Sequence, residues 1–413
     1  MNAGNIGFIL ICAALVFFMT PGLSCFYGGL VRKKNVVNTM MMSIFIIGIG
    51  IVLWVLFGYS LSFAPTDNGI IGDFRWLGLE GVSLTEGYID SHPIPNMVFC
   101  AFQMMFAVIT PALITGAIAG RMKFKSIFTF IIFWSIIVYY PLAHMVWAKN
   151  GILGLDGIGA LDFAGGDVVH ISSGISALVL CILLGKRQDY AHAAYRVHNI
   201  PTVVIGASLL MFGWFGFNAG SALEANGLAA HAFMTTAASA AAALVSWMVC
   251  DLFSNKKPTL IGACTGMVAG LVGITPGAGF VPIWAAIIIG LTTSPICFLM
   301  ISHGKRKFGF DDALDAFSCH GTGGIWGGIL TGIFAKASIG GYDGAIFGNW
   351  AQFGAQLAGI AITVVIAVVG TLICYGITRL LTGDIRVSAK DESIGLDISQ
   401  HGESAYPSFN GLE

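Results

Sequence analysis

The chain has 413 residues, of which 56% are hydrophobic and 10% charged, with a mean hydropathy of +0.83 and a formal net charge of −1. Soluble domains carry roughly 25% charged residues. A soluble globular protein is therefore excluded, and the class is a polytopic membrane protein with the lipid bilayer as its medium and no nucleic-acid partner.

Apolar windows of about 20 residues suit a hydrocarbon core about 30 Å thick. About eleven occur, near 6–31, 36–64, 95–120, 126–148, 166–185, 200–219, 229–251, 258–275, 279–302, 316–336 and 350–382. The predicted fold is an all-α bundle of about eleven transmembrane helices. No positive segment precedes the first window, and Arg32-Lys33-Lys34 follows it. A signal peptide has the opposite order, so this window is expected to be a retained helix. The eighth window is the weakest, and Pro276, Gly277 and Gly279 mark its turn into the ninth. Gly323, Gly324, Gly327, Gly328 and Gly332 have the spacing that lets helix backbones approach closely.

Threading the windows alternately puts 17 of the 20 Lys and Arg residues on one side: Arg32 to Lys34, Arg121 to Lys125, Lys186 to Arg196, Lys256 and Lys257, Lys305 to Lys307, Arg379, Arg386 and Lys390. Only Arg75, Lys149 and Lys336 fall opposite. Basic residues stay on the cytoplasmic side, so the N-terminus is expected outside and the tail from about 384 inside. A missed helix would scramble this bias. The outward loop 65–94 carries Asp67, Asp73, Glu80, Glu86 and Asp90. It is either an acidic vestibule that gathers cations by field focusing or a plain solvated loop.

Asp162 stands eight residues before His170, and Asp312 stands eight residues before His320. Gly-Ile follows each His at the fourth and fifth positions, as Gly174-Ile175 and Gly324-Ile325. Five helices per half, in halves of about 1–185 and 200–336, invert the second half relative to the first. The two His residues then converge near the midplane, where inverted-repeat transporters hold their substrates. An ionisable group at that depth marks a functional site by default. Either His alone could be a packing hydrogen-bonder; two at matched positions point to a lumen in which facing imidazoles share a proton. Asp162 fits an N-cap, and equally a fixed charge beneath an outer cation site. Asp312 is expected to cap its own helix from inside.

Phe102 and Phe106 share a face of the third helix at i, i+4. Trp147 ends the fourth helix, and Trp214-Phe215-Gly216-Phe217-Asn218-Ala219-Gly220-Ser221 closes the sixth. Singly these are packing or interfacial aromatics. Together they could cage a small cation. The nine cysteines form no CxxC pair and no CxxCH site, so they read as packing residues, with no metal and no cofactor expected.

These residues resemble the ammonium transporter/Rhesus family, in its microbial and plant ammonium transporter branch. The resemblance is carried by Pro21-Gly-Leu-Ser-Cys-Phe-Tyr-Gly-Gly-Leu-Val, Ala143-His-Met-Val-Trp147, the stretch Asp162–Arg187, Gly213–Ser221, Gly395-Leu-Asp397 and His401-Gly-Glu403. It implies a homotrimer with one pore per subunit in the cell (inner) membrane. It implies a transporter domain over 1–383, with a final long helix at about 350–382, and a cytoplasmic regulatory tail over 384–413 beside which a PII-type protein can block the pore. It implies recruitment of ammonium by Phe102, Phe106, Trp147 and Ser221, with Asp162 supporting that site. It implies a gate of Phe106 and Phe217, a lumen with His170 and His320, and Trp214 lining the pore.

Ammonium and potassium are close in size and charge, so a cage alone cannot separate them. Ammonium can donate a hydrogen bond to Ser221 and can shed a proton before an apolar lumen; potassium can do neither. A bare ion is excluded from low dielectric. The expected function is therefore ammonium uptake by recruitment, deprotonation and passage of ammonia, electrogenic rather than electroneutral, and not an enzyme. The rivals are an electroneutral gas channel of the Rhesus kind, an ammonium sensor, and a membrane redox protein with His170 and His320 as axial haem ligands.

Overall fold

The computed structural model describes residues 2–89, 92–190 and 197–406. Asp90 of the acidic loop, Arg196 of the basic set and residues 407–413 of the tail lie outside the described residues.

Among the described residues ten helices are long and apolar enough to cross a membrane. They are α1 (Ala3–Leu30), α2 (Lys33–Phe63), α3 (Asn96–Ile118), α4 (Phe124–Trp147), α5 (Gly166–Leu184), α6 (Ile200–Gly220), α7 (Gly227–Asn255), α8 (Leu260–Gly277), α9 (Ile283–Phe308) and α11 (Trp350–Thr382). The remaining expected span is α10, in which Phe317–Gly321 runs into Thr322–Phe334 without a break. His320 and six glycines dilute its apolar character. A short α12 (Ala389–Ile394) follows in the tail.

Several starts are set by short polar side chains, as helix capping predicts. Asn2, Asn199, Asn226, Thr259 and Asn349 each accept a backbone N–H in the first turn of α1, α6, α7, α8 and α11. The ends of α5 and α11 are turned by Gly185 (φ 77°) and Gly383 (φ 74°), a conformation that costs glycine nothing.

Burial sorts the helices into an inner and an outer set. The most apolar stretch of α8 is 89% buried, against 33% for α2 and 39% for α7, α9 and α11. The window that looked weakest in the sequence is thus the most interior, because its glycines and small residues fit it between neighbours rather than against lipid. α1 packs along α6, and α7 packs on α8 and α9. The outer faces of α7, α9 and α11 leave large apolar side chains exposed, as hydrocarbon solvent requires. The cysteines are buried or half-buried and unbridged, in keeping with packing.

One end of the bundle carries the basic residues and the tail. There Asp311, 1% exposed, takes the Arg187 guanidinium at 2.6 Å and faces Arg121 at 3.6 Å. The tail lies back across this end. Lys34 donates to the Glu392 carbonyl at 2.9 Å, Leu396 N–H donates to the Asn35 side chain at 2.8 Å, and the His401 ring meets Phe124 edge-on at 4.9 Å.

Candidate functional site

The site begins with two helices that start alike. The Asp162 carboxylate accepts four backbone N–H bonds, from Gly165, Gly166, Asp167 and Val168, at 2.6 to 3.2 Å. The Asp312 carboxylate accepts from Ala316 N–H at 2.9 Å and from Ser318 N–H and Oγ–H at 3.0 and 3.1 Å. Both satisfy donors that a helix start leaves free. Each then opens on a wide π-turn, Gly166–Ile171 in α5 and Phe317–Gly321 in α10, and each turn carries the His. Such turns recur at functional sites because they re-aim side chains.

The two helices cross at the glycines that follow the His residues. A Cβ on Gly174 would lie 2.1 Å from the Gly321 nitrogen, and one on Gly324 would lie 3.1 Å from His170 Cβ. That approach brings His170 Nδ1 within 3.2 Å of His320 Nδ1, with rings 5.3 Å apart and inclined by only 18°. Both rings are buried. The imidazoles touch directly, whereas axial haem ligation requires an iron and its macrocycle between them. The surrounding cavity of about 60 Å³ has no room for the macrocycle.

That cavity is mostly apolar, lined among others by Leu113, Val268, Trp214 and Phe217, with Tyr27, Thr265 and Asp315 as polar members besides the His pair. Trp214 stacks on His170 at 5.3 Å and anchors its indole N–H to Thr275 Oγ1 at 2.9 Å. On one side the lumen is closed by Phe217 and Phe106, stacked at 4.2 Å and 29°. Beyond them opens a second cavity of about 510 Å³, bordered by Phe106, Trp147, Ser221, Gln103 and Asp162. Trp147 meets Phe106 edge-on at 5.8 Å, and its indole N–H is held by the Asp162 carbonyl at 3.0 Å. The Ser221 hydroxyl donates to the Phe217 carbonyl at 2.9 Å, so its lone pairs remain for a donor in the cavity. Phe102 is fully buried behind Phe106 and against Gly220, not among the residues that border the cavity.

A model of the Ammonium Transporter Family matches residues 7–406. The chain is 48% identical to an ammonium transporter of Bacillus subtilis (strain 168), over 98% of this chain and 99% of that protein. It is 43% identical to the ammonium transporter Amt1 of Archaeoglobus fulgidus, over 98% of this chain and 100% of that one. The chain belongs to the ammonium transporter family. Among solved structures it is similar to Saccharomyces cerevisiae Mep2, with a TM-score of 0.88 and 37% identity over 100% of this chain and 93% of that one. It is also similar to a sensor Amt protein, with a TM-score of 0.86 and 26% identity over 96% and 98% of the two chains.

Three features of this family member depart from the sequence analysis or escaped it. Among the described residues, the acids Asp67, Asp73, Glu80 and Glu86 of loop 65–94 do not border this larger cavity; Asp73 is taken up by Arg75 at 2.6 Å, and the described bordering carboxylates are Asp156 and Asp162. Gln103 borders the cavity with a buried Oε1 that has no partner among the described residues. Asp167 is 2% exposed, its Oδ1 equally without a partner, and it lies beside Gly359 of α11 rather than in the lumen. It sits inside the apolar run 166–185, so the rule that singled out His170 also points to Asp167. No group of three or more His, Cys, Asp or Glu that could hold a metal occurs among the described residues.

Proposed function

We propose that this chain takes up ammonium by recruiting the cation outside, removing its proton at the gate, and passing ammonia through the twin-His lumen. The observation that carries this reading is the sequence of spaces: a cavity of about 510 Å³, a stacked Phe pair, and an apolar lumen of about 60 Å³ holding the two imidazoles. Phe106 and Trp147 offer ring faces to a cation, while Ser221 and Gln103, which border the same cavity, offer oxygen acceptors to which ammonium can donate hydrogen bonds and potassium cannot. Phe102 backs the cage, and Asp162 stabilises it by fixing Trp147 and placing negative charge below. Phe106 and Phe217 gate the passage.

Proton balance is simple. Ammonium gives one proton to a base or water at the gate and enters as neutral ammonia, since the charged form is excluded from an apolar lumen. His170 and His320 then carry the proton separately, and ammonium reforms on the far side. Net charge moves, so transport is electrogenic. Trp214 holds the His170 ring in plane. The residues 1–383 form the transporter domain and 384–413 a regulatory tail. The basic end faces the cytoplasm of an inner membrane, with the N-terminus outside. Exposed apolar faces on α7 and α9 fit a homotrimer, and a PII-type protein is the partner expected at the tail.

The deciding experiment is a solid-supported-membrane recording on the purified chain in liposomes. An inward current with ammonium and none with potassium is expected. Ammonia-driven pH change without current would replace this reading with an electroneutral channel, and binding without flux would replace it with a sensor, whose fold this chain shares.

A further inference from the structure

Asp167 takes no part in the passage described above, yet it sits inside α5, buried, in the turn Gly166–Ile171 that carries His170. Its own backbone N–H donates to Asp162 Oδ2 at 2.8 Å, so the two acidic residues are joined directly. They are served unequally. Asp162 accepts four N–H bonds, whereas Asp167 Oδ1 has no partner among the described residues. In the inverted half the position three residues before the His is Phe317. The same turn is built there around an apolar side chain.

No fixed cation answers this second carboxyl, which forms no ion pair among the described residues. The spans α3, α4, α8, α10 and α11 pack on its turn, and their only Lys and Arg are Lys125 and Arg379, at the opposite ends of α4 and α11. Otherwise these spans carry only Tyr139, Tyr140, His144, His320, Tyr375 and thiols as titratable groups. Lys149 borders the larger cavity, which Asp167 does not, and Lys336 lies over the Phe347 ring at 5.5 Å. The side chain that does interact with Asp167 is Thr363 of α11. Its Oγ1 is buried without a partner among the described residues, and it does not bond back to the carbonyl four residues earlier, as Thr110, Thr275 and Thr331 do. A buried carboxylate without a cation neutralises rather than bear the cost of its charge, and two adjacent carboxyls do not both ionise. Asp162, with four donors, is the one that keeps the charge.

We propose that Asp167 is a proton-holding site of the membrane domain: its carboxyl carries a hydrogen, donates it to Thr363 Oγ1, and so ties the turn that carries His170 to α11. Only the protonated form of a carboxyl has a hydrogen to give. Asp162 and Asp167 together then hold one negative charge and one proton. Asp167 is a positioning residue, since it does not line the lumen. It acts on His170 through the turn they share, in which the His170 N–H donates to the Gly165 carbonyl at 3.0 Å. Its bearing on transport rests on the twin-His reading above; the proton itself does not.

The test is infrared spectroscopy of the full chain in liposomes at about pH 7, where an ordinary aspartate is charged. The wild type should show the C=O band of a protonated carboxyl, displaced by carbon-13 labelling of aspartate, and Asp167→Asn should lack it. Thr363→Val should keep the band and move it to higher frequency, because the carboxyl loses its hydrogen-bond partner. The ammonium-evoked current reports the positioning. Asp167→Ala, which keeps no donor, should lower it about tenfold or more, within what a misplaced group costs. Asp167→Asn, a neutral donor of the same shape, should restore most of it. The same band in wild type and Asp167→Asn, a band that disappears on titration with sodium or potassium chloride, a band unmoved in Thr363→Val, or a loss in Asp167→Asn as deep as in Asp167→Ala would each overturn the proposal. Should Asp167→Ala fail to fold, the bands of wild type, Asp167→Asn and Thr363→Val decide alone. A wild type without ammonium current would sink the transport reading and leave the band in place.

Discussion

His170 Nδ1 and His320 Nδ1 face each other at 3.2 Å. Two neutral imidazoles can make that contact only if one donates its Nδ1–H and the other accepts. The donating ring then has a lone pair at Nε2, and the accepting ring an Nε2–H. The pair therefore presents one acceptor and one donor in a largely apolar lumen, and the roles exchange when the donating ring takes up a proton at Nε2 as it passes its Nδ1 proton across and the accepting ring gives up its own Nε2 proton. His170 Nε2 is buried without a partner among the described residues, so the roles are open to a passing solute.

His170→Ala breaks this exchange. If the proton travels along the pair, the ammonium-evoked current should fall about a hundredfold, the low end of what a positioned proton acceptor contributes, with the protein still in the membrane. A current equal to wild type, with potassium still excluded, would remove the relay.

The crossing of α5 and α10 makes a separate demand. At Gly174 a methyl would strike backbone, 2.1 Å from the Gly321 nitrogen, whereas at Gly324 it would press on the Ile171 side chain at 3.0 Å. Overpacking costs about 1–3 kcal/mol. Gly174→Ala should reach or pass the upper end of that range and Gly324→Ala should stay near the lower end, read as thermal midpoints of the purified protein. Equal effects would mean the helices can part without cost.

The cavity beyond the stacked Phe pair makes a concentration-dependent prediction. Ser221→Ala with Trp147→Leu removes an acceptor and a ring face, each worth about 1 kcal/mol or somewhat more at a half-buried site. The KM for ammonium should rise about tenfold or more, while the saturated current changes little. A loss equal at all concentrations would speak against recruitment. Glu80→Gln with Glu86→Gln should leave the KM unchanged, since neither residue borders the cavity.

Asp311 supplies the pH dependence. Burial pushes its carboxyl up, but the Arg187 hydrogen bonds and the charges of Arg187 and Arg121 outweigh it and hold the group below its ordinary value. Its stabilisation is therefore complete above about pH 3.9, the unfolded carboxyl value, and is lost as pH falls through the lower folded value. Asp311→Asn should remove that acid-side slope. It should also cost about 3–5 kcal/mol, because Arg121 is 0% exposed and loses the carboxylate facing it. Thermal midpoints of both proteins between pH 7 and pH 3 check the sign.

Much of this arrangement could be read from the residues alone. The span order followed from hydropathy and from basic residues, because lipid punishes charge so strongly that composition and topology nearly coincide. The Asp-to-His spacing, with Gly-Ile after each His, exposed the repeat because the same crossing must be built twice. What stayed hidden depends on direction rather than pattern. The window of α8 looked weakest for want of bulk, although small size is what lets it sit innermost. Vestibule and plain solvated loop stayed equal readings of the loop acids, because sequence does not show which way a loop folds; Asp73 is engaged by its near neighbour Arg75. The resemblance made Asp162 a support of the recruitment site; that it holds Trp147 through a backbone carbonyl and the indole N–H is visible only in space.

The tail reaches into the membrane domain at one point that can be tested directly. Asp397 Oδ1 accepts the Asn38 N–H at 2.9 Å, so a tail side chain caps the start of α2. Asn35, at the usual capping position, is occupied instead by Leu396 N–H at 2.8 Å. The tail and α2 therefore stabilise each other, and neither end is complete alone. Asp397→Ala should cost about 1 kcal/mol, as loss of a helix cap does. It should raise amide exchange both at residues 36–39 and across 389–401, two segments far apart in sequence. Asp397→Asn, which keeps an acceptor oxygen, should restore most of the protection at both. Faster exchange confined to the tail would mean that the start of α2 holds without Asp397.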